Sequence, residues 1–183
     1  MNKGFGLSNI RLLIVFAHGK ESGPWGSKIR RLAEVGKRYG AEVISPDYAD
    51  LKSPDWRVDR LLALALPAHD KLILVGSSMG GYVSIIASRE LHVSGLFLMA
   101  PAIGLPGYNE PLPTTATRPI CIVHGLNDNV VPVQKVFAFA AQHKADLHIL
   151  DADHAFHSSL DRLEDLFIDF LDAQLKACRL QAC

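Results

Sequence analysis

Three residues of this sequence have the types and surroundings for nucleophilic catalysis. Ser78 stands in "GSSMGG" (76–81), Asp128 in "HGLNDNVVP" (124–132) and His154 in "LDADHAFH" (150–157). A serine hydroxyl is a weak nucleophile at its own pKa and needs a neighbouring base. An imidazole can take its proton, and a carboxylate can hold that imidazole in the correct tautomer. Gly76-Ser77-Ser78-Met79-Gly80 follows the pattern G-x-S-x-G centred on Ser78. That spacing suits a serine on a sharp strand-to-helix turn, a strained conformation tolerated only where the residues two before and two after are small. The strain points the hydroxyl outward, toward the next backbone N–H and the positive end of the following helix. Ser77 is off the centre of the pattern and reads as structural.

Competing assignments fit less well. His18 and His124 each precede a glycine at a strand end and read as turn or supporting residues. His157 lies about one turn beyond His154, inside an expected helix, and Asp151 and Asp153 are too close to His154 to brace it from a separate strand. "DADHAFH" lacks H-E-x-x-H and a third ligand at metal spacing, so no metal is expected. "GSSMGG" matches neither nucleotide-binding glycine pattern.

These residues need a frame that brings them to one edge. Short runs rich in Val, Ile and Leu occur at 11–17, 41–45, 71–76, 95–100, 120–125 and 147–151. Strands that are apolar on both faces belong to a parallel sheet covered on each side. The segments between read as helices. One spans 25–39, with Ile29, Leu32, Gly36 and Tyr39 on one stripe and Gly40 as the stop; one is opened by Ser53-Pro54-Asp55; one follows Ser78; the others cover 133–143 and 156–177. The alternation predicts an α/β fold, a three-layer αβα sandwich around a mostly parallel six-stranded sheet, with the first and third strands adjacent at its centre. Ligands of such sheets bind beyond the carboxyl ends of the strands. Ser78, Asp128 and His154 each follow such an end. The proline-rich loop 101–119 reads as a stiff cover over that edge, a plain surface connector being the alternative. Tyr82, Met99, Ile103 and Leu105, with Met79, are candidates to line a substrate pocket, core packing being the competing role for each.

At 183 residues the chain fits a single domain, 1–183, with 1–9 and 178–183 expected as flexible ends. Nineteen basic residues balance nineteen acidic ones, which argues against nucleic acid or a membrane surface as partner. Cys121, Cys178 and Cys183 lack metal-ligand spacing and suit a reducing compartment. With no signal-peptide pattern and no bilayer-length apolar run, a cytoplasmic location is expected. Nothing in the sequence speaks to the oligomeric state.

Taken together, "HG" after the first strand, "GSSMGG", "GLNDNVVP" and "DADH" make the chain resemble the α/β-hydrolase superfamily, as a small cap-less serine-esterase-like member. The likeness runs from "FAHGKESG" to the last helix. It implies a minimal α/β-hydrolase fold that begins at the third strand of larger members and has no cap domain, a Ser78–His154–Asp128 triad, and no cofactor. It further implies an oxyanion hole from the N–H groups of Met79 and Lys20, with Gly19 as the next choice. Lys20 departs from the glycine or apolar residue usual there. The implied partner is a small-molecule acyl substrate, a small or short-chain ester or thioester cleaved through an acyl-enzyme. Dienelactone-type or peptidase-like chemistry stays open, as does a catalytically weak hydrolase-fold protein acting mainly as a binding partner.

Overall fold

The computed structural model describes residues 10–181, with side chains to residue 176. The flexible ends expected at 1–9 and 178–183 lie outside this description, except that the backbone stays helical to Gln181. Six strands form one sheet: β1 (Leu12–Ala17), β2 (Glu42–Ile44), β3 (Lys71–Ser77), β4 (Gly95–Met99), β5 (Ile120–Gly125) and β6 (Asp146–Leu150). Their order is β2-β1-β3-β4-β5-β6, and every neighbouring pair is parallel. β1 and β3 are adjacent as expected, although the middle pair is β3 and β4. The helices are α1 (Ser27–Arg38), α2 (Pro54–Leu62), α3 (Met79–Ala87), α4 (Val133–His143) and α5 (Leu160–Gln181). Each strand-to-strand connection carries one helix except β4 to β5, which is the loop 101–119, and no cap domain is inserted.

Alternation along each strand divides the core in two. Ile14, Phe16, Ile73, Val75, Phe97 and Met99 point to the face covered by α1 and α5. Leu13, Val15, Leu72, Leu74, Leu96 and Leu98 point to the opposite face, under α2, α3 and α4. Along β1, β3, β4 and β5 both faces are buried, so these strands read as apolar runs, and each large side chain buried this way contributes about 1.5–3 kcal/mol. Cys121 belongs to the first core as a free thiol, its pKa pushed up to about 12 chiefly by burial.

The helix ends follow local chemistry. Ser53 caps α2 by accepting the Trp56 N–H, with Pro54 in the first turn. α1 stops at Gly40, whose φ of 76° turns the chain so that the Ala41 N–H reaches back to the Gly36 carbonyl at 3.0 Å. The last helix differs from the sequence reading, because it starts at Leu160 and not at 156. Phe156 has a φ of 60° in the turn before it, and its ring is buried in the same core as Leu163 and Phe167. Its burial extends the helical rhythm of apolar residues upstream, while its backbone conformation excludes helix. His157 is therefore a loop residue, exposed and bonded through Nδ1 to Asp153 at 2.8 Å. Among the described residues no helix is long and apolar enough to cross a membrane.

Candidate active site

β3 ends at Ser77 and α3 begins at Met79, leaving Ser78 alone on the corner with φ 54° and ψ −118°. A non-glycine residue held there costs about 1–3 kcal/mol and persists only when its surroundings enforce it. Here they do. The Ser78 N–H donates to the Met99 carbonyl at 2.9 Å, and the Ser78 carbonyl accepts the N–H groups of Gly81 and Ala102, both at 2.9 Å. The flanking glycines are required by contact. A Cβ on Gly76 would lie 2.4 Å from the Gly80 carbonyl oxygen, and one on Gly80 would lie 1.9 Å from that of Ala17.

Asp128 and His154 come from the loops that follow β5 and β6. Oδ1 of Asp128 accepts the N–H groups of Val130 (2.8 Å) and Val131 (2.9 Å), and Oδ2 accepts the Nδ1–H of His154 at 2.7 Å. The Asp128 side chain is 0% exposed and that of His154 is 21% exposed. Burial alone would raise the Asp128 pKa; the bonds from His154 and from the two valine N–H groups outweigh it and bring it below the usual carboxylate range. With Nδ1 donating, Nε2 of His154 carries the lone pair. Behind the pair, His124 is buried with Nε2 bonded to the Val131 carbonyl at 3.0 Å, and burial lowers its pKa.

Ser78 and His154 open onto one cavity of about 810 Å³, with no hydrogen bond between them among the described residues. Gly19, Lys20, Met79 and Leu105 share its lining. Tyr82, Met99 and Ile103 do not, and the pocket reading is corrected for these three. Strand alternation turns Met99 under α1 and α5, and Ile103 packs in the opposite core. Tyr82 is buried on α3, where its hydroxyl donates to Asp55 at 3.1 Å and its ring meets Tyr108 edge-on. From the loop 101–119, the cavity takes Leu105, Pro106, Gly107 and Tyr108. Sequence reasoning missed Tyr108, Val130 and Lys28. Lys28 had a signal, because the N-terminus of a crossover helix necessarily lies at the carboxyl edge of the sheet. Its Nζ donates to the His154 carbonyl at 3.2 Å and sits 5.2 Å from the centre of the Phe156 ring. Burial brings its pKa down to about 8, against the opposing pull of Asp128 and Asp153. Among the described residues no cluster of three His, Cys, Asp or Glu side chains could hold a metal ion.

A sequence profile of the alpha/beta hydrolase family matches residues 14–120. The chain belongs to the alpha/beta hydrolase family. No curated protein sequence matches it. A solved protein of the alpha/beta hydrolase superfamily from Xanthomonas campestris is similar at 31% identity over 88% of this chain and 98% of that one, with a TM-score of 0.81. A second protein from X. campestris, described as an α/β serine hydrolase without lid, is 22% identical over 86% of this chain and 79% of its own, with a TM-score of 0.72. Est1E from Butyrivibrio proteoclasticus is 18% identical over 91% and 89%, with a TM-score of 0.72. The latter two likenesses speak to the fold alone. Family and fold together make this chain a hydrolase of the α/β superfamily.

Proposed function

We propose that this α/β hydrolase is a serine hydrolase that cleaves small or short-chain carboxylic esters or thioesters. One observation carries the reading: Ser78, strained at φ 54°, shares a cavity with an imidazole whose Nδ1 is held at 2.7 Å by a buried carboxylate. In this reading Nε2 of His154 takes the Ser78 proton as Oγ bonds to the acyl carbon. The tetrahedral oxyanion is held by the N–H groups of Met79 and Lys20, with Gly19 alongside. Collapse breaks the bond to the alcohol or thiol, which leaves with the proton from His154. Water, activated by the same imidazole, then releases the acid. Asp128 stays ionised throughout and stabilises the imidazolium. A cavity of about 810 Å³ with no cap domain among the described residues supports small substrates over long lipids.

The test is covalent labelling with a fluorophosphonate, read by intact mass. A single adduct is expected, absent in Ser78→Ala and much slower in His154→Ala. No adduct on folded protein would overturn the reading and favour a binding role. For substrate size, a series of acyl chain lengths decides: turnover of long chains with none of short ones would refute the size argument.

A further inference from the structure

Arg57, on α2, is only 2% exposed, and among the described residues no carboxylate lies within ion-pair distance of it. A buried guanidinium without an acid is costly unless its N–H groups find other acceptors. Among the described residues Arg57 bonds only to main-chain carbonyls. Nε donates to Leu51 at 2.8 Å, and Nη1 donates to Gly19 at 3.2 Å and to His18 at 3.3 Å. The guanidinium also lies 5.5 Å from the centre of the Tyr48 ring.

The Gly19 carbonyl is gripped a second time, by Nδ1 of His18 at 2.7 Å. Nε2 of His18 accepts the Tyr48 N–H at 3.0 Å, so the ring must be the neutral tautomer with its proton on Nδ1. In a planar trans peptide the carbonyl and the following N–H point in opposite directions. Fixing the Gly19 oxygen toward buried Arg57 and His18 therefore turns the Lys20 N–H toward the other side. Gly19 and Lys20 both line the cavity, and a Cβ on Gly19 would sit only 3.5 Å from the Ser78 Cβ, so the peptide lies beside the nucleophile. A cation at the carbonyl end also polarises the peptide and strengthens its N–H as a donor.

We propose that Arg57 is a positioning residue that holds the Gly19–Lys20 peptide so that the Lys20 N–H faces the oxyanion formed at Ser78. This rests on the serine-hydrolase reading above. Arg57 touches no reacting atom; it acts through the peptide it orients.

The test compares wild type with Arg57→Met, Arg57→Gln and Arg57→Lys, all first checked for folding by circular dichroism and urea unfolding. Two quantities are read: kcat and KM on a neutral short-chain ester, and the affinity of a trifluoromethyl ketone, whose hemiketal adduct places an oxyanion in the hole. Arg57→Met is expected to lower kcat by about 10–10²-fold, somewhat less than outright loss of a donor, while KM stays within about threefold. Ketone affinity should fall in parallel, and Arg57→Lys should recover only part of both, since one ammonium cannot span the Leu51 and Gly19 carbonyls. If Arg57→Met does not fold, the milder Arg57→Gln is expected to show the same pattern. Unchanged kcat and ketone affinity in folded variants, or a kcat loss with ketone affinity intact, would overturn the positioning role alone. A wild-type protein that forms no fluorophosphonate adduct would overturn it together with the serine-hydrolase reading.

Discussion

Replacing Asp128 by Asn isolates what the carboxylate does for His154. Oδ1 of Asp128 receives two backbone N–H groups, from Val130 and Val131, at 2.8 and 2.9 Å. An asparagine must keep its carbonyl oxygen there, because an amide nitrogen would face two donors. Its NH₂ then takes the place of Oδ2 and points at His154 Nδ1, which now sits 2.7 Å from a carboxylate oxygen. Two donors cannot share that gap, so the imidazole moves its proton to Nε2. The nitrogen facing the cavity then has no lone pair with which to take the Ser78 proton. Rate losses from such a tautomer error are about 10⁴-fold, or ~5.5 kcal/mol of transition-state stabilisation. The assay is the pseudo-first-order rate of fluorophosphonate labelling between pH 6 and 9, with ¹⁵N shifts of His154 reporting the tautomer. Folding should survive, because both bonds to the valine N–H groups persist. Asp128→Ala would instead remove the acceptor from both, leaving the exposed Val130 N–H to water and the part-buried Val131 N–H unpaired at about 1–3 kcal/mol, and should unfold at lower urea. Labelling of Asp128→Asn within tenfold of wild type, or a His154 proton still on Nδ1, would refute this reasoning.

Three further outcomes follow from contacts and burial. Gly80→Ala would set a Cβ 1.9 Å from the Ala17 oxygen, so α3 must move by about 1.5 Å to reach ordinary contact; a loss of roughly 2–4 kcal/mol and at least about 10²-fold in labelling is expected. Gly36→Ala is the contrast: its Cβ would come too close only to the side-chain ends of Ile14 (2.8 Å) and Val43 (3.3 Å), which can shift, with Ala41 at an ordinary 3.9 Å, and urea unfolding should change by no more than about 1 kcal/mol. Lys28 has its pKa lowered by burial from 10.5 to about 8, so between these pH values the unfolded chain binds more protons and stability rises with pH. Lys28→Met should therefore be more stable than wild type at pH 7, by about 1–3 kcal/mol, with the gap closing toward pH 10.5; equal stability at pH 7 in urea titrations would show that the ammonium is not strained.

Much of the frame was legible because it is encoded between chain neighbours. Doubly covered strands announce themselves as apolar runs, caps such as Ser53-Pro54 act within one turn, and Gly76 is demanded by the local approach of the Gly80 backbone, whereas Gly80 is demanded by Ala17 of β1. Strand ends in a parallel sheet share one edge, so Ser78, Asp128 and His154 could be assigned to that edge from their order along the chain. What the sequence left open depends on partners distant in the chain. Phe156 continues a helical rhythm and is buried as a helical residue would be, yet its φ of 60° places it in the turn before α5. Tyr82 and Met99 lie close in sequence to the nucleophile or its neighbouring strand, but side-chain direction sends one to Asp55 and the other beneath α1. Arg57 would pass for an ordinary exposed arginine on a short helix until the packing of α2 brings it against the Gly19 carbonyl. Local propensity and periodicity determine which elements form, whereas the contents of the cavity and the grip on its peptides are settled by contacts that exist only once the sheet has closed around them.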